Sequence, residues 1–172
     1  MEPKVAQRRK KSPESALASL MRLCARSEKS TSDAKRLLRN WGVDESAHSR
    51  IIAKLISDRF IDDERYASAY VREKSSLNGW GERKIRAALR LKGIEDSIIS
   101  KALGEINSDS SRQRLQERLQ RKAKSTKSAN GYELRTKLIR YGLSLGFSYE
   151  LVGDCVTQIL KDNNTECDTF FD

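Results

Sequence analysis

From residue 13 onward the apolar residues recur at steps of three and four. Ala16, Leu17, Leu20 and Leu23 make one stripe, opened by Ser12-Pro13-Glu14, which reads as an N-cap, a first-turn proline and an acid at the positive helix end. Ala34, Leu37 and Leu38 make the next, after the capping cluster Ser30-Thr31-Ser32-Asp33. No stretch of four to eight residues alternates apolar and polar with β-branched weight, so no strand is expected. Both prolines, Pro3 and Pro13, lie at the start, and only nine glycines punctuate the chain. The fold class is all-α, with helices expected over 14–27, 31–41, 45–58, 62–76, 81–92, 95–106, 109–124, 131–145 and 148–161.

The pattern also repeats. Gly42, Gly93 and Gly146 are each followed by an apolar residue, Val43, Ile94 or Phe147. Four residues on come Ala47, Ile98 and Leu151, then the pairs Ile51-Ile52, Ala102-Leu103 and Cys155-Val156, then Leu55, Ile106 and Ile159. Eight residues before each glycine stand Ala34, Ile85 and Leu138, and the copies are offset by 51 and 53 residues. A glycine suits the residue just past a helix end, where positive φ is needed, and the apolar residue after it packs back on that helix. The expectation is three tandem three-helix repeats forming an elongated, curved array, since a unit of about 50 residues buries little alone. The repeats are read as 14–58, 59–107 and 108–161, between a basic flexible tail (1–13) and an acidic flexible tail (162–172). Gly142 and Gly146 are expected to soften the third repeat.

Charge then narrows the function. The 172 residues carry a net +10. Residues 1–12 hold Lys4, Arg8, Arg9, Lys10 and Lys11 against Glu2, and residues 162–172 hold Asp162, Glu166, Asp168 and Asp172 with no base, so the tails cancel and the body keeps the excess. A basic body favours a polyanion or an acidic protein surface as partner. No window approaches 18 consecutive apolar residues, so no membrane span is expected, and no secretory signal follows the basic start. Three cysteines (Cys24, Cys155, Cys167) and one histidine, His48, supply neither a disulfide framework nor a zinc site and read as reduced thiols of a cytosolic protein.

Catalytic patterns are missing: there is no phosphate-cradling glycine loop, no HExxH and no triad. An enzyme is not expected, nor any cofactor or metal. Asp62-Asp63-Glu64 reads as a helix cap with an acid in the first turn rather than a cation site. On the helix after Gly81, Ile85, Ala88 and Leu89 take the inner face, while Arg83, Arg86 and Arg90, with Lys84 beside them, make a guanidinium row on the other. Lys35 and Arg39 occupy the matching positions of repeat one, and repeat three offers Arg135, Lys137 and Arg140 instead. With Lys92, these form the candidate basic face for a nucleic-acid backbone or an acidic filament groove. Trp80 reads as core rather than a stacking platform. A second basic run, Arg112 to Lys127, has seven bases against Glu117 and reads equally as a phosphate contact or a connector ending in a mobile loop.

Phe60-Ile61-Asp62-Asp63-Glu64-Arg65-Tyr66-Ala67, then Tyr70-Val71, Gly79-Trp80-Gly81, Lys84-Ile85-Arg86, Leu89 and Lys92-Gly93-Ile94, together resemble the signature of the RecX regulatory-protein family. Gly146-Phe147-Ser148-Tyr149-Glu150-Leu151 resembles that family's third-repeat turn. The resemblance implies three tandem three-helix repeats and a non-enzymatic, monomeric regulator in a bacterial cytoplasm. It implies binding to the RecA recombinase filament and modulation, most often inhibition, of ATP hydrolysis and strand exchange, in recombination and the SOS response to DNA damage. Weak contact with single- or double-stranded DNA goes with it. On this reading Asp62, Asp63, Tyr66, Tyr70, Trp80, Gly81, Ile85 and Gly93 are architectural. Neither tail matches a family motif. The competing readings are a stand-alone, non-specific DNA-binding protein of helical-repeat type and a helical scaffold for an unrelated acidic partner.

Overall fold

The computed structural model describes residues 10–168, apart from the side chains of 163–168. Among them are nine α-helices and no strand: α1 Pro13–Cys24, α2 Thr31–Asn40, α3 Glu45–Ser57, α4 Asp63–Arg72, α5 Glu82–Leu91, α6 Asp96–Leu103, α7 Ser108–Ser125, α8 Gly131–Ser144 and α9 Tyr149–Asp168, with a π-helical turn, Glu73–Leu77, after α4. The fold is the all-α helical repeat read from the periodicity. The caps are the expected ones, Ser12 accepting from the Ser15 N–H and Ser30 from the Asp33 N–H.

The three repeat glycines have φ of +64, +70 and +91°. Each sits in the same pair of hydrogen bonds. The N–H of Gly42, Gly93 or Gly146 donates to the carbonyl three residues back (Arg39, Arg90, Leu143), and the next N–H, of Val43, Ile94 or Phe147, donates five back, to Leu38, Leu89 or Gly142. This is the Schellman closure in triplicate. Val43, Ile94 and Phe147 are buried, as are Ala34, Ile85 and Leu138. A fourth turn of the same kind ends α3 without a glycine: Arg59 has φ +59°, its N–H donates to Ile56 and the Phe60 N–H to Leu55.

The chain divides into two compact units, residues 1–69 with 89–100, and 70–88 with 101–172, so α4, α5 and α6 each contribute to both. In the first unit, α1 and α2 pack on α3 around Leu20, Leu38, Ile51, Leu55 and Ile61. In the second, α7, α8 and α9 pack on one another around Leu115, Leu119, Leu138, Phe147, Val152 and Val156.

Three expectations need correction. Residues 162–168 are not a loose tail: α9 continues to Asp168, because extending a formed helix costs little where neither glycine nor proline interrupts it. Residues 169–172 lie outside the described residues, as do residues 1–9 of the basic tail. At the other end Lys11 is docked, its N–H on the Trp41 carbonyl, its ammonium 3.9 Å above the Trp41 ring and donating to Ser19 Oγ. Gly142 and Gly146 do not soften repeat three but let it close. A Cβ on Gly142 would lie 2.6 Å from a Val152 methyl, and one on Gly146 2.3 Å from the Lys84 Cβ. The helix expected over 62–76 also changes form, its last turn widening to the π-turn that brings the Trp80 N–H to the Lys74 carbonyl.

Candidate functional site

The residues of the central motif are placed by backbone chemistry. Asp62 caps α4 through the Arg65 N–H at 3.0 Å. Asp63 reaches back 32 residues and accepts from the Thr31 N–H, at 2.8 Å, one of the amides that α2 leaves without an intrahelical partner. Both carboxylates are thereby engaged as caps. Lys92, at the end of α5, points to the same start of α2, with its ammonium 3.7 Å from Asp33 and 5.5 Å from the Tyr66 ring centre. Gly93 is bare against Ser32, whose Cβ and Oγ lie 3.4 Å from where a Cβ would stand. Burial pushes the Asp33 carboxyl up, but the Arg36 hydrogen bond, the Lys92 and Arg36 charges and the Ser30 hydroxyl outweigh it and hold the group below its ordinary value.

The other end of α5 is built differently. The Gly81 N–H donates to the Leu145 carbonyl at 2.8 Å and the Arg83 N–H to the Gly146 carbonyl at 3.1 Å, so amides at the start of α5 meet carbonyls of the turn that closes α8. A Cβ on Gly81 would lie 2.4 Å from the Gly146 backbone. Trp80 is half-buried, with the Lys84 ammonium 4.6 Å and that of Lys74 5.6 Å from the ring centre. Lys74 also lies over Tyr70, at 5.2 Å.

The predicted basic face is divided in its duties. Arg83 is exposed and lines a cleft with Glu82, Arg112, Phe147 and Leu151. Arg86 is half-buried. Lys84 is committed to Trp80 and to the Ser144 carbonyl, 3.2 Å away. Arg90 is paired with Asp96 at 2.7 Å, which raises its already high pKa further, and Lys92 is turned inward as described. Lys35 and Arg39 are exposed together beside Glu45, His48, Ile52 and Ile56, and His48 Nε2 is 3.0 Å from the Val43 carbonyl. Arg135 and Arg140 are exposed, whereas Lys137 bonds Glu133 and the Lys127 carbonyl. The α5 row is thus no free guanidinium face; three of its cations are spent on the chain itself.

Helix α7 carries a basic surface that its sequence pattern does not single out. Its Arg118, Arg121 and Lys122 line one cleft with Ser125 and Tyr141 of α8. The signal was present as three- and four-residue spacing with a single acid in the run, but the pattern alone did not separate a helix face from a connector. Cys24 and Cys155 are unpaired, and burial pushes both thiols up. Among the described residues no helix is long and apolar enough to cross a membrane.

Two family models match the chain: the second three-helix domain of RecX over residues 62–103 and the third over residues 110–156. Together they cover more than half of it. The chain belongs to the RecX family. The regulatory protein RecX of a Bacillus mycoides strain is 29% identical over 129 residues, 75% of this chain and 48% of that one. A Mycobacterium RecX is 28% identical over 148 residues, 84% of this chain and 81% of its own. The chain thus spans about half the length of the Bacillus relative and most of the mycobacterial one. A crystal structure of RecX from Lactobacillus salivarius superposes with a TM-score of 0.74 at 23% identity, over 86% of this chain and 96% of that one, and shows the same fold. A second RecX crystal structure gives 0.73 at 25%, over 83% and 73%. The family match begins with the caps of α4 and includes Gly81 and Gly93, so it covers the residues that join α5 to α2 and α8.

Proposed function

We propose that this chain binds the RecA–DNA filament and inhibits its ATPase and strand-exchange activity, as a monomeric, non-enzymatic regulator of recombination and the DNA-damage response in the bacterial cytoplasm. The observation that carries the reading is the match of two successive RecX domains in a chain whose body holds the whole +10 charge. The working units are repeats 14–58, 59–107 and 108–161, with α9 running past the last of them to Asp168. The architectural motif residues hold the repeats together, and contact falls to exposed cations: Lys35 and Arg39 on α2, Arg83 on α5, Arg135 and Arg140 on α8. Extended basic surfaces suit a filament whose groove is lined by phosphate and carboxylate.

The test is DNA-dependent ATP hydrolysis by the cognate RecA on single-stranded DNA, with this protein titrated in. Inhibition at substoichiometric amounts is expected for a filament modulator. Inhibition that appears only when the protein saturates free DNA would replace this reading with the second one, a non-specific DNA-binding protein. The unpaired cations of α7 favour that alternative. Charge reversal at Lys35, Arg39 and Arg83 is expected to abolish inhibition while the helical circular dichroism survives; unchanged inhibition would remove those residues from the contact.

A further inference from the structure

We infer that the cleft between α7 and α8 is a binding site for the phosphodiester backbone of a nucleic-acid strand, built from Arg118, Arg121, Lys122, Ser125 and Tyr141. The cleft holds about 300 Å³, and its lining has three cations, two hydroxyls and no carboxylate. Arg114, Arg118, Arg121 and Ser125 step by four, three and four along α7 and so share one face, while the fully buried Leu115 and Leu119 turn to the core. Among the described residues none of the three cations of the cleft has an ion-pair partner. Each turn advances about 5.4 Å, so the row offers successive charges along a line rather than one point charge.

Arg121 is tied to its own helix, and the other two cations rest against neighbouring groups. The Arg118 guanidinium lies on the bare backbone of Gly79, where an added Cβ would stand 2.5 Å from Nε and 2.9 Å from Cζ. Gly79 also has φ +59°, a backbone conformation that favours glycine. Arg121 Nε donates to the Glu117 carbonyl at 3.3 Å. Lys122 stands with its ammonium 5.7 Å from the Tyr141 ring centre. An arginine held in advance loses less freedom on binding, and its planar fork matches phosphate oxygens two at a time. Hydroxyls such as those of Ser125 and Tyr141 are further phosphate partners.

The alternative occupant is an acidic protein segment. An acidic segment presents carboxylates at irregular spacing, whereas the cations here recur turn by turn along one helix face with hydroxyls beside them, which suits the regularly spaced phosphates of a strand. Phosphate contacts need charge and hydroxyls, and both are present. The inference deepens the DNA-binding reading and shares only its ligand class; it does not depend on RecA.

The experiment is fluorescence anisotropy of a labelled single-stranded oligonucleotide, and separately of a duplex, with the full chain and no RecA over a salt series. Arg121 and Lys122 are exposed, so R121E/K122E is expected to fold. It is expected to weaken binding at least tenfold at low salt and to lower the log–log salt slope by about 1–2. R121K/K122R is expected to stay within about twofold. The control R26E/R50E makes the same change in net charge on exposed residues elsewhere. Equal losses in R121E/K122E and the control, an unchanged salt slope, or no measurable binding by the wild type would overturn the site. RecA ATPase inhibition by the same variant keeps the two readings apart: inhibition retained with DNA affinity lost supports the cleft and leaves the filament reading standing. Inhibition lost with DNA affinity intact would mean that the cleft meets the recombinase, and the inference fails.

Discussion

The two ends of α5 join its neighbours by different chemistry. At its C-terminal end the contacts run through side chains: Lys92 to Asp33, Gly93 against the Ser32 side chain and, from α4, Asp63 to the Thr31 amide. At its N-terminal end backbone meets backbone, with Gly81 and Arg83 donating to Leu145 and Gly146 and no room for a Cβ on either glycine. A side-chain junction degrades by degrees and responds to charge. A backbone junction is indifferent to charge and fails when any side chain is inserted.

The sharpest break in this contrast is Gly81→Ala. Its methyl would meet main-chain atoms that cannot rotate away, and two hydrogen bonds would stretch with it. A loss of about 3 kcal/mol or more is expected, read from chemical denaturation. Gly146→Ala adds the cost of positive φ and should be at least as harmful. A loss below about 1 kcal/mol for both would show that the seam opens easily. Second in size is Asp63→Ala, which leaves the Thr31 amide without its acceptor and should cost about 1–2 kcal/mol, with helicity largely retained.

Acid distinguishes the junctions next. Asp33 titrates below its ordinary value in the folded chain, so its ionised form contributes stability above the unfolded-state value of about 4. That contribution is lost as pH falls from there through the folded value. Asp33→Asn should flatten this part of the stability-versus-pH curve, and the Gly81 seam should show no such dependence. An identical acid limb in Asp33→Asn would remove Asp33 from the side-chain junction's energetics. The smallest effect concerns α3. Arg59 makes in left-handed conformation the turn that glycine makes in the three repeats, so Arg59→Gly is expected to stabilise by about 1 kcal/mol in thermal melting, less whatever the Arg59 side chain contributes.

These junctions mark the limit of what was legible beforehand. The helices, their caps and the three glycine turns were readable because each is local: an apolar period, a serine before an acid, a glycine after a stripe. Gly81 was visible as a motif residue, but its partner Gly146 stands 65 positions on, and no local pattern connects an amide to a carbonyl at that distance. The pattern at Asp62-Asp63 reads as a cap of its own helix, and Asp62 takes that role, but nothing local shows that Asp63 accepts from the Thr31 amide of α2. The turn at Arg59 was invisible because it carries no glycine. The basic face was legible as charge and not as availability, since Lys84, Arg90 and Lys92 look like Arg83 in a sequence and differ only in what they touch. The reverse holds for Arg118, whose setting depends on Gly79, 39 positions earlier.

The seam between α5 and α8 has a consequence for isotope exchange. The opening amides of a helix ordinarily face water and trade hydrogen for deuterium almost freely. Here the amides of Gly81 and Arg83 are covered by carbonyls of the turn that follows α8, so they should exchange slowly, and only when that seam parts. Two protected hydrogens at a helix start thus act as a clock for the opening of the third repeat.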